Sequence, residues 1–398
     1  MGYNWAMTRL RVLLGLLTLF VVGILSLLVS LYARGYRFDS QTLRFKPSGL
    51  LVVKSDPSGA QVFVNRELST ATDTTISLAP GTYDVSIRKE GFHIWNKRLV
   101  IEKEVVTEAF ASLFRVAPSL SSVTFSGAVS PVLSADGTRI AYATPPSRED
   151  PEKGGLWIIE TVNLPLGFAR DPRRVADGDL TAADWQFSPD GREILVSVGQ
   201  SVFLLDSSTF TPQARRVNVA ARKEIILAEW EEERGTRLSS QIKILPDELV
   251  DILERKANSI VFSPDETKIL YTASGSATIR ENLIKSLPGS SSQKEERDIK
   301  EGRTYVYDIK EDRNFLIDEG VVPEVTRRLS WFPTSKHLVL SEAGKITIID
   351  YDGTNKQLVY SGSYVSPHAY PFGSTSRLLI LTNLGADTTP NLYSLTLK

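Results

Sequence analysis

The sequence predicts an all-β protein behind a single N-terminal transmembrane helix. Three observations support this: a long apolar run near the start, short segments of alternating apolar residues after residue 49, and a turn motif that recurs between 133 and 383. The chain has 398 residues, of which 42% are hydrophobic and 23% are charged, so it can form a packed core and a wet surface. At roughly 100–200 residues per domain, this length predicts two or three domains.

Composition and charge exclude several classes of function. Lys plus Arg number 46 and Asp plus Glu number 47, so there is no global basic field and we predict no nucleic-acid partner. The absence of cysteine removes disulfides, thiolate nucleophiles and Cys-ligated zinc. The three histidines, His93, His337 and His368, form no pair at HxxxH spacing, so we predict no metal site.

A transmembrane helix is predicted at 12–33, after a short tail at 1–11. The run "VLLGLLTLFVVGILSLLVSLYA" has 22 residues without a charge. At about 1.5 Å per residue it exceeds the roughly 30 Å hydrocarbon core of a bilayer. The alternative is a cleaved signal peptide, whose apolar region is shorter, about 7–15 residues. We therefore predict an uncleaved anchor followed by a linker at 34–48.

Alternating strands are predicted over 49–112. "LLVVKS" (50–55) and "AQVFVN" (60–65) are rich in β-branched and apolar residues, and the turn cluster "DPSG" lies between them. In a later segment Tyr83, Val85 and Ile87 recur with period two, which predicts a strand with one buried face.

This segment resembles the PEGA domain, a small β-sandwich of bacterial and archaeal envelope proteins. The naming stretch is Pro57-Ser58-Gly59-Ala60, with Ser58 in place of the usual Glu. A second signature, L-x-P-G-x-Y-x-V with a later K-x-G-F/Y, is met by Leu78, Pro80, Gly81, Tyr83, Val85, Lys89, Gly91 and Phe92. The resemblance implies surface or cell-wall association as a spacer or binding module. The PEGA family has no known catalytic residues, so the resemblance assigns none to this chain.

The orientation of the anchor is predicted as N-in, with the bulk of the chain outside the cytoplasm. Basic residues precede the helix at Arg9 and Arg11 and follow it at Arg34, Arg37, Arg44 and Lys46. A bare positive-inside count favours the opposite orientation, but that rule is weak when a long domain follows. The resemblance to an envelope domain favours the exported orientation.

A repeat occupies the rest of the chain. The recurring units are "LSADGTRIAYAT" (133–144), "FSPDGREILVSV" (187–198), "FSPDETKILYTA" (262–273), "WFPTSKHLVLSE" (331–342) and "YPFGSTSRLLILTN" (370–383). Their turn positions, Ala135, Pro189, Pro264, Pro333 and Gly373, are 54, 75, 69 and 40 residues apart. In the fourth unit Thr334 replaces the Asp, so we interpret the motif as a turn rather than a repeated catalytic carboxylate.

Residues 113–398 resemble a TolB-like or WD-repeat-like β-propeller, whose blades need about 40–45 residues. We predict five blades, or six if the insertion near 213–258 contains a degenerate blade. A second insertion at 285–303 is polar and is predicted to be either disordered or a loop. Since a propeller must close to hide its sheet edges, we predict that 109–116 supplies the missing strand of the last blade.

The first insertion contains a predicted helix at 245–256. Leu249, Ile252 and Leu253 share one helical face with Leu245. We expect this helix to pack on its own blade, and the alternative is a helix that docks a partner.

The function predicted from these observations is binding rather than catalysis. The chain has no GxGxxG, GxxxxGK[ST], HExxH or GxSxG motif, so we predict no catalytic residue and no cofactor. We expect a membrane-anchored, extracytoplasmic scaffold of the cell envelope that presents a propeller to protein or cell-wall glycan. The alternative is a hydrolase or lyase with its site in the propeller channel. A receptor is disfavoured because only about 11 residues would face the cytoplasm.

Overall fold

The computed structural model describes residues 3–33, 36–39, 44–147, 151–162, 171–285, 289, 291–320, 327–373, 375–384 and 389–398. These residues form two compact units. The first unit contains the N-terminal helix and most of the chain up to Leu113, together with 291–293. The second unit contains the remainder, including Glu90–His93 and the chain from Phe114 onward.

Helix α1 (Tyr3–Ala33) contains the predicted apolar run. Its segment Leu13–Ala33 has a mean hydropathy of 2.6, and none of it is buried inside the protein. Leu19 is 74% exposed and Phe20 is 65% exposed. Exposure of such apolar side chains to water is unfavourable in free energy. By length and composition α1 can cross a membrane.

The first unit continues as a small β-structure. Its strands are β1 (Arg37–Asp39), β2 (Arg44–Lys46), β3 (Gly49–Asp56), β4 (Gln61–Val64), β5 (Glu67–Ala71), β6 (Thr74–Leu78), β7 (Gly81–Arg88), β8 (Trp95–Ile101) and β9 (Val106–Ser112). They form a β1–β2 ribbon and two sheets, ordered β6-β3-β9 and β5-β4-β7-β8.

Alternation places the core of this unit between the two sheets, as the sequence predicts. Val85 and Ile87 on β7 are buried, and so are Leu51 and Val53 on β3. Tyr83 is only half-buried, and its hydroxyl donates to the Ala79 carbonyl over 2.9 Å. The period-two pattern therefore identifies the buried face, although the outermost apolar residue of the strand lies at its rim.

The second unit contains five larger sheets and one short ribbon. Sheet I has β11 (Val129–Leu133), β12 (Arg139–Thr144), β13 (Gly155–Glu160) and β14 (Arg173–Asp177); sheet II has β15 (Asp184–Phe187), β16 (Glu193–Val198) and β17 (Ser201–Asp206). Sheet III has β18 (Ala257–Phe262), β19 (Lys268–Ala273), β22 (Thr304–Asp308) and β23 (Arg313–Asp318). Sheet IV has β24 (Arg328–Trp331), β25 (His337–Glu342), β26 (Lys345–Asp350) and β27 (Gln357–Ser361). Sheet V has β10 (Ser119–Ser122), β28 (Ala369–Pro371), β29 (Arg377–Thr382) and β30 (Asn391–Thr396), and the ribbon pairs β20 (Ala277–Thr278) with β21 (Asp298–Ile299).

Edge strands of successive sheets contact one another. The Trp331 indole on β24 donates to the Val261 carbonyl on β18 over 3.0 Å. The Arg328 guanidinium lies 5.3 Å from the ring centroid of Tyr370 on β28, and the Tyr370 hydroxyl donates to the Pro131 carbonyl on β11 over 2.6 Å. These contacts link sheets III, IV, V and I in order, which is the arrangement of a propeller, and the predicted fold class is confirmed.

The closing strand is β10, so the prediction of 109–116 was wrong. Strand β10 pairs with the last strand in the register Ser119↔Thr396. Residues 109–112 instead belong to β9, which runs parallel to β3 with Val53↔Ala109. Ala109 is buried there, so the packing of the small β-structure already uses this segment.

Two helices occupy the insertion between sheets II and III. Helix α2 (Lys223–Ile242) packs Ile226 and Trp230 against Leu195 of sheet II. Helix α3 (Asp247–Lys256) buries Leu249 and Leu253 against sheet III. The prediction of a helix packed on its own sheet is confirmed, α2 was missed, and residues 213–256 contain no strand of a sixth blade.

The recurring turns share one backbone bond across all five sheets. The donor–acceptor pairs, residue N–H to residue carbonyl, are Ser134–Arg139, Ser188–Glu193, Ser263–Lys268, Phe332–His337 and Phe372–Arg377, at 2.8–3.1 Å. In the second turn the Ser188 hydroxyl donates to the Asp190 carboxylate over 2.7 Å, and that carboxylate accepts the Arg192 N–H over 3.0 Å. The carboxylate therefore organises the turn, as the interpretation of the motif requires.

Candidate binding groove

A groove of about 450 Å³ lies on the open face of the β5-β4-β7-β8 sheet. Strand pairing places Asp84 opposite Arg98 and Ser86 opposite Asn96. Because side chains alternate along a strand, these polar residues face away from buried Val85 and Ile87. The groove is lined by Arg66, Asp84, Val85, Ser86, Arg88, Asn96, Lys97, Arg98 and Gln293.

The groove carries a net positive charge. Its lining includes Lys97, but this residue pairs with buried Val85 and leaves the sheet on the opposite face. The cations Arg66, Arg88 and Arg98 and one carboxylate therefore leave a charge of +2 (3 − 1). The carboxylate, Asp84, accepts two hydrogen bonds from Arg98, at 2.7 and 3.2 Å. The hydrogen bond from Arg98 lowers the pKa of Asp84, and Arg66 lowers it further. Asp84 is therefore ionised at neutral pH, and the charge count holds there.

An aromatic ring positions one of the groove cations. The Arg88 guanidinium lies 4.5 Å from the ring centroid of Phe63, and its Nε donates to the Ser86 hydroxyl over 3.1 Å. The Lys97 ammonium lies 5.5 Å from the ring centroid of buried Trp95, on the opposite face of the sheet. Since a cation is attracted to a ring face, the contact with Phe63 favours a fixed position of Arg88 at the groove.

A segment distant in sequence supplies part of the groove. The side-chain amide of Gln293 donates to the Arg98 carbonyl over 2.7 Å, and the Ser292 hydroxyl donates to the same carbonyl over 2.9 Å. The Ser292 oxygen also accepts the Val100 N–H over 3.3 Å. The described part of the insertion predicted at 285–303 thus includes strand β21 and the hydrogen-bonded residues Ser292 and Gln293, in addition to loop.

Sequence reasoning named no residue of this groove as functional. Arg88 and Arg98 follow from strand alternation once β7 and β8 are paired, so their shared face was predictable in principle, whereas Lys97 lies opposite Val85 and leaves the sheet on the other face. Arg66 adopts a positive φ of 73° at the β4–β5 turn, and Gln293 approaches from about 195 positions away in sequence. These two could be placed only by the tertiary fold.

A threonine–histidine–aspartate array in sheet IV is the arrangement most similar to a catalytic triad. The Thr334 hydroxyl lies 2.8 Å from His337 Nδ1, and His337 Nε2 lies 3.5 Å from Asp350. His337 is only 3% exposed, and the rings of Phe114 and Phe332 pack edge-on against it. Because these rings cover the imidazole, we interpret the array as part of the turn.

The other histidines also have structural surroundings. His93 Nε2 lies 3.0 Å from the Leu358 carbonyl, and His368 Nδ1 lies 2.7 Å from the Tyr370 hydroxyl. Burial lowers the pKa of His368, and the nearby Arg328 lowers it further. Within the described ranges, no three His, Asp or Glu side chains cluster closely enough to hold a metal ion.

The alternative left open by the sequence was an enzyme with its site in the propeller channel, and the edge strands β11, β15, β18, β24 and β28 of the five sheets bear on it. Exposed polar residues on them include Ser130, Asp184, Gln186, Asn258 and Ser259. All residues of β11, β15, β18, β24 and β28 are described, and Asp184 is the one carboxylate among them. These strands alone therefore provide no pair of carboxylates for acid–base catalysis.

Comparison with known proteins identifies one family in part of the chain. Residues 48–116 match the profile of the PEGA domain, which confirms the resemblance seen in the sequence. No curated protein matches the chain.

Solved structures similar to this chain are β-propellers. They include a protein assigned as TolB from Agrobacterium tumefaciens, with 13% identity, a TM-score of 0.22, and coverage of 68% of this chain and 78% of that chain. The β-propeller domain of Myceliophteria thermophila Cps50 (Swd1) has 13% identity, a TM-score of 0.18 and coverage of 70% and 73%. The WD40 repeats of RRP9 have 10% identity, a TM-score of 0.29 and coverage of 72% and 100%. These scores carry no argument about function.

The class of protein is thereby defined. The chain combines one helix apolar enough to cross a membrane, a PEGA-type domain and a propeller-like set of sheets. This combination suits a binding or scaffold role.

Proposed function

We propose that this protein is a membrane-anchored, extracytoplasmic scaffold of the cell envelope whose PEGA-type domain binds an anionic glycan. The observation that carries the proposal is the groove on that domain, with its net charge of +2. Helix α1 anchors the chain, and the propeller-like unit offers further loops to envelope proteins or glycans. The chemistry is non-covalent, since the groove combines cations with hydrogen-bonding groups.

The cationic and the amide side chains of the groove have different roles in binding. Arg66 and Arg88 attract carboxylate or phosphate groups, and each guanidinium can donate two parallel hydrogen bonds to such a group. Asn96 and Gln293 provide amide groups that can bond sugar hydroxyls. Repeating anionic units along a glycan suit an open groove because several weak contacts then act together.

A sedimentation experiment tests glycan binding. The full chain in detergent is mixed with isolated cell walls, which are then pelleted. Three wall preparations are compared: untreated walls, walls with amidated carboxylates, and walls stripped of phosphodiester-linked polymers by acid. We expect the full chain to pellet with untreated walls and to lose binding in one of the treated preparations, which identifies the anionic group. Failure to pellet with untreated walls, or equal binding to all three, would contradict the proposal.

The proposed orientation has its own test. The chain contains no cysteine, so a Leu68→Cys variant carries a single thiol on the first unit, where Leu68 is 61% exposed. A membrane-impermeant maleimide should label this variant in intact cells or spheroplasts. Labelling only after the membrane is permeabilised would show that the chain has the opposite orientation.

A further inference from the structure

The ribbon β1–β2 lies directly after the apolar helix. Helix α1 ends at Ala33 and β1 begins at Arg37. The Tyr36 N–H donates to the Leu31 carbonyl over 3.0 Å, which joins the chain before the ribbon to the last turn of the helix. If α1 spans a bilayer, the ribbon therefore begins at the level where the hydrocarbon core ends.

The ribbon carries an exposed aromatic pair. The antiparallel register places Phe38 opposite Phe45, so both side chains lie on one face. Their ring centroids are 5.4 Å apart in an edge-to-face arrangement. Phe38 is 56% exposed and Phe45 is 37% exposed. Isolated two-stranded ribbons are marginally stable in water, so an apolar face of this kind gains most from an apolar neighbour.

The sequence around this pair is basic. The two strands contain Arg37, Arg44 and Lys46 against Asp39, which gives a net charge of +2 (3 − 1). Tyr32, at the end of the helix, is 65% exposed. Aromatic residues favour the headgroup level of a membrane, and basic residues near it are attracted to anionic lipid. The position of the ribbon, its exposed aromatic rings and its net positive charge therefore all favour an anionic membrane as its partner.

We propose that the β1–β2 ribbon is a second membrane contact, in which Phe38 and Phe45 insert at the boundary between headgroups and acyl chains of an anionic bilayer. Basic residues of the ribbon contact lipid phosphates. This inference rests on the proposed anchoring role of α1, because the helix brings the ribbon to the membrane. The ribbon restricts the tilt of the PEGA-type domain, which a single flexible linker would leave free.

Site-directed spin labelling tests this proposal in the full chain. Single-cysteine variants Phe38→Cys and Phe45→Cys are labelled with a nitroxide in nanodiscs that contain anionic lipid. Each variant retains one of the two phenyl rings. Accessibility to oxygen is compared with accessibility to a water-soluble nickel chelate, which reports depth. We expect both labels to favour oxygen at shallow depth, and to shift toward the nickel chelate in nanodiscs of neutral lipid.

Two further labels separate the possible failures. Leu19→Cys lies within α1, and Leu68→Cys lies on the PEGA-type domain. The native leucine is exposed at both positions. A deep position for label 19 with water-exposed labels at 38, 45 and 68 would overturn the ribbon proposal alone. A water-exposed label 19 would overturn the anchor and, with it, this inference. Labels 38 and 45 at a shallow depth, with label 68 in water, would support the proposal.

Discussion

At the residue scale, the repeated motif is a hydrogen-bonded unit built on Ser and Asp. In the third turn the Ser263 hydroxyl donates to Asp265 over 2.7 Å, and Asp265 accepts the Thr267 N–H over 3.1 Å. Burial alone would raise the pKa of Asp265, but the bonds from Ser263 and Thr267 and the charge of Lys268 outweigh it and lower the pKa to about 2. The ionised carboxylate is therefore the form that stabilises the turn.

A substitution at this turn should reduce stability. We expect Asp265→Asn to lower the free energy of unfolding of the second unit by about 1 kcal/mol, because an amide is a weaker acceptor than a carboxylate. Since the folded pKa is lowered from 3.8, the stabilisation should be fully present above about pH 4 and lost as the pH falls toward 2. Thermal unfolding of both proteins across this range provides the measurement.

The control for this prediction is Glu281→Gln, which changes an exposed carboxylate outside the turns. It should unfold like the parent at every pH. An Asp265→Asn variant as stable as the control at pH 7 would show that the carboxylate does not organise the turn.

The sequence predicted this turn but not all of its chemistry. Pro189 and Gly191 indicated a turn because their backbone preferences are local. The fourth turn lacks Asp, and Thr334 takes its place by accepting the Lys336 N–H over 3.3 Å. A hydroxyl that substitutes for a carboxylate has no distinct sequence signal, so it was found only through the geometry.

At the element scale, β10 closes the second unit. Its Leu120 packs against the cluster that contains Leu378 and Leu395. We expect Leu120→Asp to lower the free energy of unfolding of this unit by about 2–4 kcal/mol, since it removes apolar packing and introduces a charge. Calorimetry of the full chain would detect a lower melting temperature for one transition.

The matched control is Ser121→Asp, which places the same charge on the adjacent, exposed position. Equal melting temperatures for the two variants would argue against closure through β10. The sequence predicted closure because a sheet edge must be covered, but β10 contains one apolar residue among three serines and gives a weaker strand signal than the apolar segment 109–116.

Helix α2 fills the space between sheets II and III. Trp230 is 6% exposed and packs with Ile226 against Leu195 and Val202. We expect Trp230→Ala to lower the free energy of unfolding by about 3–5 kcal/mol through the cavity it creates. Ile225→Ala, at a position that is 54% exposed, should change stability little. A similar loss in both variants, measured by thermal unfolding, would contradict this packing.

The two helices differ in how well the sequence revealed them. Helix α3 was predicted because Leu249, Ile252 and Leu253 repeat at helical spacing. Helix α2 was missed because its buried residues, Ile226, Trp230 and Ile242, are only three among many polar and charged residues. A helix that is polar over most of its surface gives a weak periodic signal, and tertiary contacts decide its position.

At the scale of the whole molecule, the sequence predicted the order of parts and left their assembly open. The apolar run, the PEGA-type signatures and the repeated turn each depend on local pattern, and each corresponds to a described element. The groove depends on the pairing of β7 with β8 and on Gln293, which belongs to an insertion distant in sequence from these strands. Long-range contacts of this kind leave no periodicity in the sequence.

The central claim, that the groove binds an anionic glycan, is tested most directly by charge reversal in the full chain. The double variant Arg66→Glu/Arg88→Glu reverses two groove cations, and the control Lys103→Glu/Lys54→Glu reverses two exposed cations outside the groove lining. Cell-wall affinity is measured by sedimentation at low and physiological salt. We predict at least a tenfold loss for the groove variant, a difference of about 1.4 kcal/mol, with a weaker salt dependence than the parent. Equal affinity of the groove variant and its control would contradict the claim.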